Sequence, residues 1–288
     1  MKTILEGLQP TPIDENDFSF GAVFGHTKPA NLPDHYEVGS PLVIKDQGET
    51  DMCTAYAITA VSEDQEGVVL DPFFTFGETK KLTQQPDAWG ADLRSACKSG
   101  IIGFRPVPPA SLSLVTEAPT SDMRDDAAYG RTITVTDEAI AKQHAKKSFF
   151  SVTGPYDLFD NMRSAMWIAR AEKRSIFTGA DWRSSWTHLP KGIIEEARNE
   201  KSFGHAIKAY GWEDEHMLLQ LSNGTEIGDG GIFRIAREAL NTAFTFGAFT
   251  FMDIPREDAE AALERAKRGT MSTFFSSIFT CKNKPSRV

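Results

Sequence analysis

Residues 45–67 read KDQGETDMCTAYAITAVSEDQEG. A short apolar run, Leu42-Val43-Ile44, leads into the turn-forming Lys45-Asp46-Gln47-Gly48. From Cys53 the residues suit a helix that Gly67 stops. Cys53 then opens that helix, where the positive end of the macrodipole favours a thiolate. A free cysteine is more often a small buried hydrophobe; the setting singles this one out. Gln47, six residues earlier, carries an amide that can donate to a developing oxyanion beside the Cys53 N–H. A thiolate nucleophile also needs a base that later protonates the leaving group, and that base can come from far along the chain.

The flanking segments divide by pattern. Pro10, Pro12, Pro29 and Pro33 make residues 1–31 an irregular extension. A second helix is expected over 91–99, with Leu93, Ala96 and Cys97 on one face, and 110–132 reads as a polar loop. Phe149-Phe150-Ser151-Val152 reads as a strand, and Asp157 as the cap of a helix with Leu158, Met162, Ala165, Met166 and Ala169 inward. Strands are expected at 174–180, 205–211, 216–222 and 231–236. The phenylalanines at 244, 246, 249 and 251 alternate, then change phase at Gly247-Ala248, which suggests a bulged strand. A helix-rich half followed by a strand-rich half is an α+β pattern.

Charged residues make up 25% and apolar ones 40% of the 288, an ordinary balance for a chain with a sizeable core. The formal charge of -9 argues against a general nucleic-acid or anionic-membrane binder. No secretory signal and no apolar run of bilayer length is visible, so no membrane span is expected. Cys53, Cys97 and Cys281 are too few and too scattered for a disulfide framework, which fits a cytoplasmic or other reducing compartment. No Cys/His spacing suggests zinc. Gly228-Asp229-Gly230-Gly231 lacks the lysine of a phosphate loop, so neither metal nor cofactor is expected. Over 255–280 a helical tail is expected, with Met271, Phe274, Phe275, Ile278 and Phe279 forming an apolar stripe. That stripe would pack on the chain's own core or on a protein partner.

The 45–67 segment resembles the nucleophile segment of papain-like cysteine peptidases, in which an oxyanion Gln in a Gln-Gly turn precedes the Cys by six residues and the His and Asn follow roughly 130–150 residues downstream. Gly204-His205-Ala206-Ile207 resembles the family's Gly-His-Ala-Val strand, 205 − 53 = 152 residues after the cysteine. SNGTEIGDGGIFRIARE, from Ser222, is similar to its Asn-Ser-Trp-Gly segment, and WGADLRSACKSGIIGFRP, from Trp89, to its Leu-Arg-x-Ala helix. The resemblance spans about residues 32–250. It implies a two-lobed papain-like fold: an extension over 1–31, a mainly helical lobe over 32–125 bearing Cys53, a mainly β, barrel-like lobe over 126–252 bearing His205, and a helical tail over 253–288. It implies Cys53 as nucleophile, His205 as base and Gln47 in the oxyanion hole. The orienting Asn falls on Leu221 when counted without gaps, and on Asn223 with a two-residue insertion in the 213–216 turn. Thr50 stands at a usual cystine position, and the tryptophan that covers the Asn–His contact is missing.

Three functions follow from this constellation: a peptidase acting on peptides or proteins through an acyl-enzyme, a papain-fold binding or structural module with weakened or lost chemistry, and acyl transfer to an amine.

Overall fold

A computed structural model describes residues 7–11, 14 and 17–267. The helices are α1 Phe20–Phe24, α2 Cys53–Glu66, α3 Pro72–Thr83, α4 Leu93–Ile102, α5 Ser113–Thr116, α6 Ser121–Ala128, α7 Val135–Ala141, α8 Leu158–Ile168, α9 Arg237–Ala243 and α10 Arg256–Lys267. The strands are β1 His35–Glu37, β2 Ser148–Ser151, β3 Ile176–Arg183, β4 Ile193–Ile194, β5 Ser202–Glu213, β6 His216–Gln220, β7 Ile232–Ala236 and β8 Ala248–Met252.

Central to the helical part is α2. Residues 53–63 of it are all buried, so it is enclosed by protein on every side. Gly67 ends it in the left-handed conformation at φ +69°, its N–H donating to Glu63 O. The neighbouring helices begin at side-chain caps. Asp71 accepts from the Phe73 and Phe74 N–H groups with Pro72 at the first helical position, and Asp92 accepts from Ser95 N–H.

The strands form one sheet in the order β2-β8-β3-β5-β6-β7-β4, antiparallel except for β4 against β7, with β1 added to the end of β5. Its outer strands β2 and β4 do not pair, so the sheet is mixed in its neighbours and open, and the expected barrel-like character stops short of closure. The long strand β5 is the spine: β3 pairs with its first part, from Ser202 to Ala209, and β6 with its second, from Lys208 to Glu213.

One apolar cluster joins the two halves. Cys53, Ala57, Ile58 and Val61 of α2 and Leu93, Ala96 and Cys97 of α4 pack with Phe177, Ala206, Phe249 and Phe251 of the sheet. One ion pair with almost no exposure crosses this seam, Lys208 of β5 to Asp64 of α2 at 2.6 Å; a second, Lys45 to Glu63 at 2.6 Å, ties the loop before α2 to that helix. No helix among the described residues is long and apolar enough to cross a membrane.

Several expectations need correction. The 110–132 stretch contains α5 and α6, because Thr120 caps Met123 N–H and starts a helix that buries Arg124, Ala127 and Ala128. No single bulged strand runs through 243–251. Ala239, Leu240 and Ala243 bury one helical face of α9, Phe244 caps its end, and Gly247 at φ +93° turns the chain into β8. A sheet bulge lies instead in β5, between Ala209 and Gly211. The N-terminal extension is not wholly irregular, since it holds α1 and a bridge between Leu8 and Ala91. The tail expectation is met over α10, and the phenylalanine stripe lies outside the described residues.

Candidate active site

Cys53 is the first residue of α2 and is fully buried. The backbone N–H groups of Ala206, the residue after His205, and of Thr54 and Cys53 at the helix start lie near enough to its sulfur to favour the thiolate. Chain segments 206 − 53 = 153 residues apart therefore meet at this sulfur. Burial pushes the thiol up to about 12, against the pull of those N–H donors, and the Asp51 carboxylate adds to the rise.

His205 lies in β5 opposite Ala180 of β3 and is also fully buried. Burial pushes its imidazole down to about 4, and only the Asn223 side chain acts in the opposite direction. The Asn223 amide is close enough to favour the protonated ring, yet no ring nitrogen or Asn223 amide atom makes a hydrogen bond of normal geometry. Leu221, the rival position, is 2% exposed and packs in the sheet's apolar core.

Gln47 is held from two sides. Its N–H donates to Ser222 O at 2.7 Å and its Oε1 accepts from Ser222 Oγ at 2.6 Å, while its Nε2 donates to Thr50 O at 2.8 Å. Asp46 forms an antiparallel bridge with Asn223, and Gly224 N–H donates to Lys45 O at 3.0 Å. Gln47 and Asn223 are thus presented by two paired segments. Cys53, His205, Gln47 and Asn223 all gather at the seam between α2 and β5.

Two features escaped the sequence reading. Trp182 of β3 meets the His205 ring edge-on, with centroids 6.1 Å apart, and is itself fixed by Thr187 Oγ1 at 3.2 Å. Its only sequence signal is a large aromatic two residues beyond Ala180 on a strand; the pairing that brings it near His205 is not local. The second feature is the chain's own residues 7–9, which lie across the site. Gly7 and Leu8 N–H groups donate to Gly204 O at 3.3 and 3.2 Å, Gln9 N–H donates to Ala91 O at 3.0 Å, and Ala91 N–H donates to Gly7 O at 3.0 Å. Leu8 packs in the same apolar cluster as Cys53 and Ala206. Glycines make this approach possible: a Cβ at Gly204 would lie 2.6 Å from Leu8 O, and one at Gly179 would lie 2.3 Å from Leu8 Cδ2.

No protein-family profile matches the chain, and no curated protein matches it in sequence. Solved structures do. Xylellain, a cysteine protease from Xylella fastidiosa, superposes with a TM-score of 0.68 at 19% identity, covering 88% of this chain and 100% of that one. The bromelain protease of Ananas comosus gives 0.55 at 16% identity, covering 77% and 99%. Digestive procathepsin L 3 of Tenebrio molitor gives 0.56 at 15% identity, covering 82% and 74%. At these identities the likeness is one of fold, and that fold is papain-like.

Proposed function

We propose that this papain-like fold carries a cysteine peptidase whose Cys53 attacks a peptide carbonyl. The observation that carries the reading is the Cys53 sulfur at a helix start beside the strand that bears His205, where the Ala206 N–H favours the thiolate and Asn223 the protonated ring. In the first half-reaction His205 takes the thiol proton as the S–C bond forms, and the oxyanion is stabilised by Gln47 Nε2–H and the Cys53 N–H. The same imidazole then gives the proton to the departing amine as the C–N bond breaks. Water, deprotonated by His205, hydrolyses the thioester. Asn223 orients the ring, and residues 32–125 and 126–252 act as the two lobes between which the peptide lies. Peptides or proteins are the substrates, and the free Cys53 and Cys97 thiols suit a reducing compartment.

The state described here is a closed one. With the thiol raised and the imidazole lowered, both by burial, the proton belongs on sulfur. Residues 7–9 keep the pair dry. Their release admits water and substrate, lowers the desolvation penalty and lets the thiolate–imidazolium pair form.

That same neutral, dry pair is what favours the second reading, a papain-fold binding module. Mass-mapped alkylation of Cys53 by iodoacetamide, on the full chain and on its Leu8→Ser variant, separates the two. The peptidase reading expects Leu8→Ser to alkylate at neutral pH and to hydrolyse unfolded protein, with Cys53→Ser abolishing hydrolysis. A Cys53 that reacts only as pH approaches 9, with no hydrolysis in either form, establishes the binding module. Products coupled to an added amine instead of water would establish acyl transfer.

A further inference from the structure

Asp51 precedes Cys53 by two residues and has no exposed surface. Its carboxylate is held by a guanidinium fork from α6: Arg124 Nε donates to Oδ1 at 2.8 Å and Nη2 to Oδ2 at 2.7 Å. The same Oδ2 accepts the Gly90 N–H. Arg124 also reaches Ala88 O at 3.1 Å and Pro86 O at 3.4 Å, and lies over Trp89 at 5.9 Å and Phe76 at 5.4 Å. Lys80 of α3 adds its ammonium to Ala88 O and Gly90 O. Three carbonyls and one N–H of residues 86–90 thus end on charged side chains from α3, α6 and the start of α2.

The next residue is Ala91. Both its backbone groups pair with the extended residues 7–9, which cross the site to Gly204. Gly90 stands at φ +70°, and a Cβ there would lie 2.0 Å from Gly7 O, so the wall approaches the bound segment as closely as backbone can. An edge that binds by main-chain pairing must be held in place, because each misplaced N–H or C=O loses its bond. Residues 86–90 form no helix or strand that would hold it, and the fork does so directly.

We infer that Asp51 and Arg124 are positioning residues that fix the Ala91 backbone edge relative to Cys53, and so set how tightly an extended peptide lies in the site. The inference rests on the peptidase reading for the identity of that peptide, but not for the wall itself, which the chain's own residues 7–9 already use. A guanidinium is required rather than a charge alone, since an ammonium cannot make the fork.

The test is a two-mutant cycle on the full chain, read by Cys53 alkylation with iodoacetamide and by amide hydrogen exchange of residues 86–91. Arg124→Lys is expected to raise exchange over 86–91 about tenfold, leave exchange over 54–66 unchanged, and raise Cys53 alkylation about tenfold by loosening residues 7–9. Leu8→Ser is expected to raise alkylation as well. Combined, the two are expected to alkylate no faster than Leu8→Ser alone, because the wall acts through the segment it binds. In the Leu8→Ser background, Arg124→Lys is expected to raise KM for a peptide substrate about tenfold with kcat within twofold. Multiplying alkylation rates, unchanged exchange over 86–91, or a fall in kcat at constant KM would overturn the inference. If Leu8→Ser hydrolyses no peptide, the peptidase reading fails, while exchange and the alkylation cycle still decide the wall. Should Arg124→Lys not fold, Asp51→Asn, which keeps the shape and one acceptor oxygen, is read by exchange over 86–91 and by KM alone, because removing the carboxylate also lowers the Cys53 thiol directly.

Discussion

Ser222 grips Gln47 twice, accepting its N–H at 2.7 Å and donating a hydroxyl to its Oε1 at 2.6 Å. The Thr50 carbonyl, which can only accept, settles which way the carboxamide points, since Nε2 must face it. With Oε1 facing Ser222, the amine end is the free-donor end, and one of its hydrogens goes to Thr50 O. The other is available to an oxyanion. Substituting Gln47 by Ala is expected to lower kcat by about 10²–10³-fold with little change in KM, the loss typical of one oxyanion donor. Ser222→Ala frees the amide to rotate, so its kcat is expected to fall less, by about tenfold. Steady-state kinetics on the Leu8→Ser chain measures both. A Ser222→Ala loss confined to KM would mean that the grip serves binding instead.

The buried imidazole makes stability depend on pH in a defined direction. His205 is pushed from 6.5 down to about 4, so the folded chain resists a proton that the unfolded chain accepts. Stability is therefore undiminished above about pH 6.5 and is lost as pH falls towards 4. The loss approaches about 3 kcal/mol, from 2.5 pH units at about 1.36 kcal/mol each. Urea unfolding from pH 7 to 4 is expected to show this slope in the parent chain, and a shallower one in His205→Gln by that amount. Identical slopes would place the titration elsewhere. The Cys53 thiol works in the opposite window: raised from 9.0 to about 12, it loses stability as pH climbs through that range.

The site was legible where its signals are local. Gln47, Gly48 and Cys53 sit in one turn and helix start, so local pattern singled out that segment, whereas His205 was singled out by the resemblance of its strand to a family motif. Asn223 against Leu221 was undecidable by counting. Between His205 and Asn223 the chain inserts a bulge at Ala209–Gly211 and reverses through Asp214, at φ +50°; neither has a strong local signature. Asp214 and Glu215 form a tight turn whose length sets the register; the Asn223 side chain acts on the ring, while Leu221 packs in the apolar core. Other features were invisible because their partners are remote. Arg124 meets Asp51 across 73 residues, and Leu8 reaches Gly204 across 204 − 8 = 196. The missed helix α3 is a different case: Asp71-Pro72 is an ordinary start signal, and Lys80 and Lys81 an ordinary last turn.

Asn223 and Leu221 can be separated by one spectroscopic measurement. Asn223 is the side chain that raises the His205 ring's basicity. Asn223→Ala is expected to push the imidazole lower still, and to reduce kcat at least tenfold through a poorly oriented ring. Leu221→Ala empties part of an apolar core and is expected to cost about 2–5 kcal/mol of stability while leaving the ring's titration in place. Histidine-labelled NMR across pH 3–7 reads the first, and urea unfolding the second. A ring that titrates alike in parent and Asn223→Ala would remove Asn223 from the orienting role.

The Lys208–Asp64 ion pair at the seam bears on whether Cys53 and His205 stay in register. Lys208 lies in β5 three residues after His205, and Asp64 in α2 eleven after Cys53; their 2.6 Å contact ties the strand of one to the helix of the other. Both side chains are almost fully buried, so neither charge can fall back on water. Removing one partner leaves the other charged and dry, and Asp64→Ala is expected to destabilise the chain by about 3–5 kcal/mol. Replacing both, as Asp64→Leu with Lys208→Met, removes the stranded charge, and stability is expected to return to within about 1–2 kcal/mol of the parent. Asp64 also accepts the Ser175 hydroxyl at 2.7 Å, a bond that the leucine cannot make and that accounts for part of the remaining deficit. If the pair serves only stability, the double variant is expected to keep the parent's kcat on the Leu8→Ser background. If it also sets the register of α2 against β5, kcat is expected to fall in the double variant although the chain is stable. Urea unfolding and steady-state kinetics on the same three proteins distinguish these outcomes, and a single variant no less stable than the double one would contradict the buried-charge argument itself.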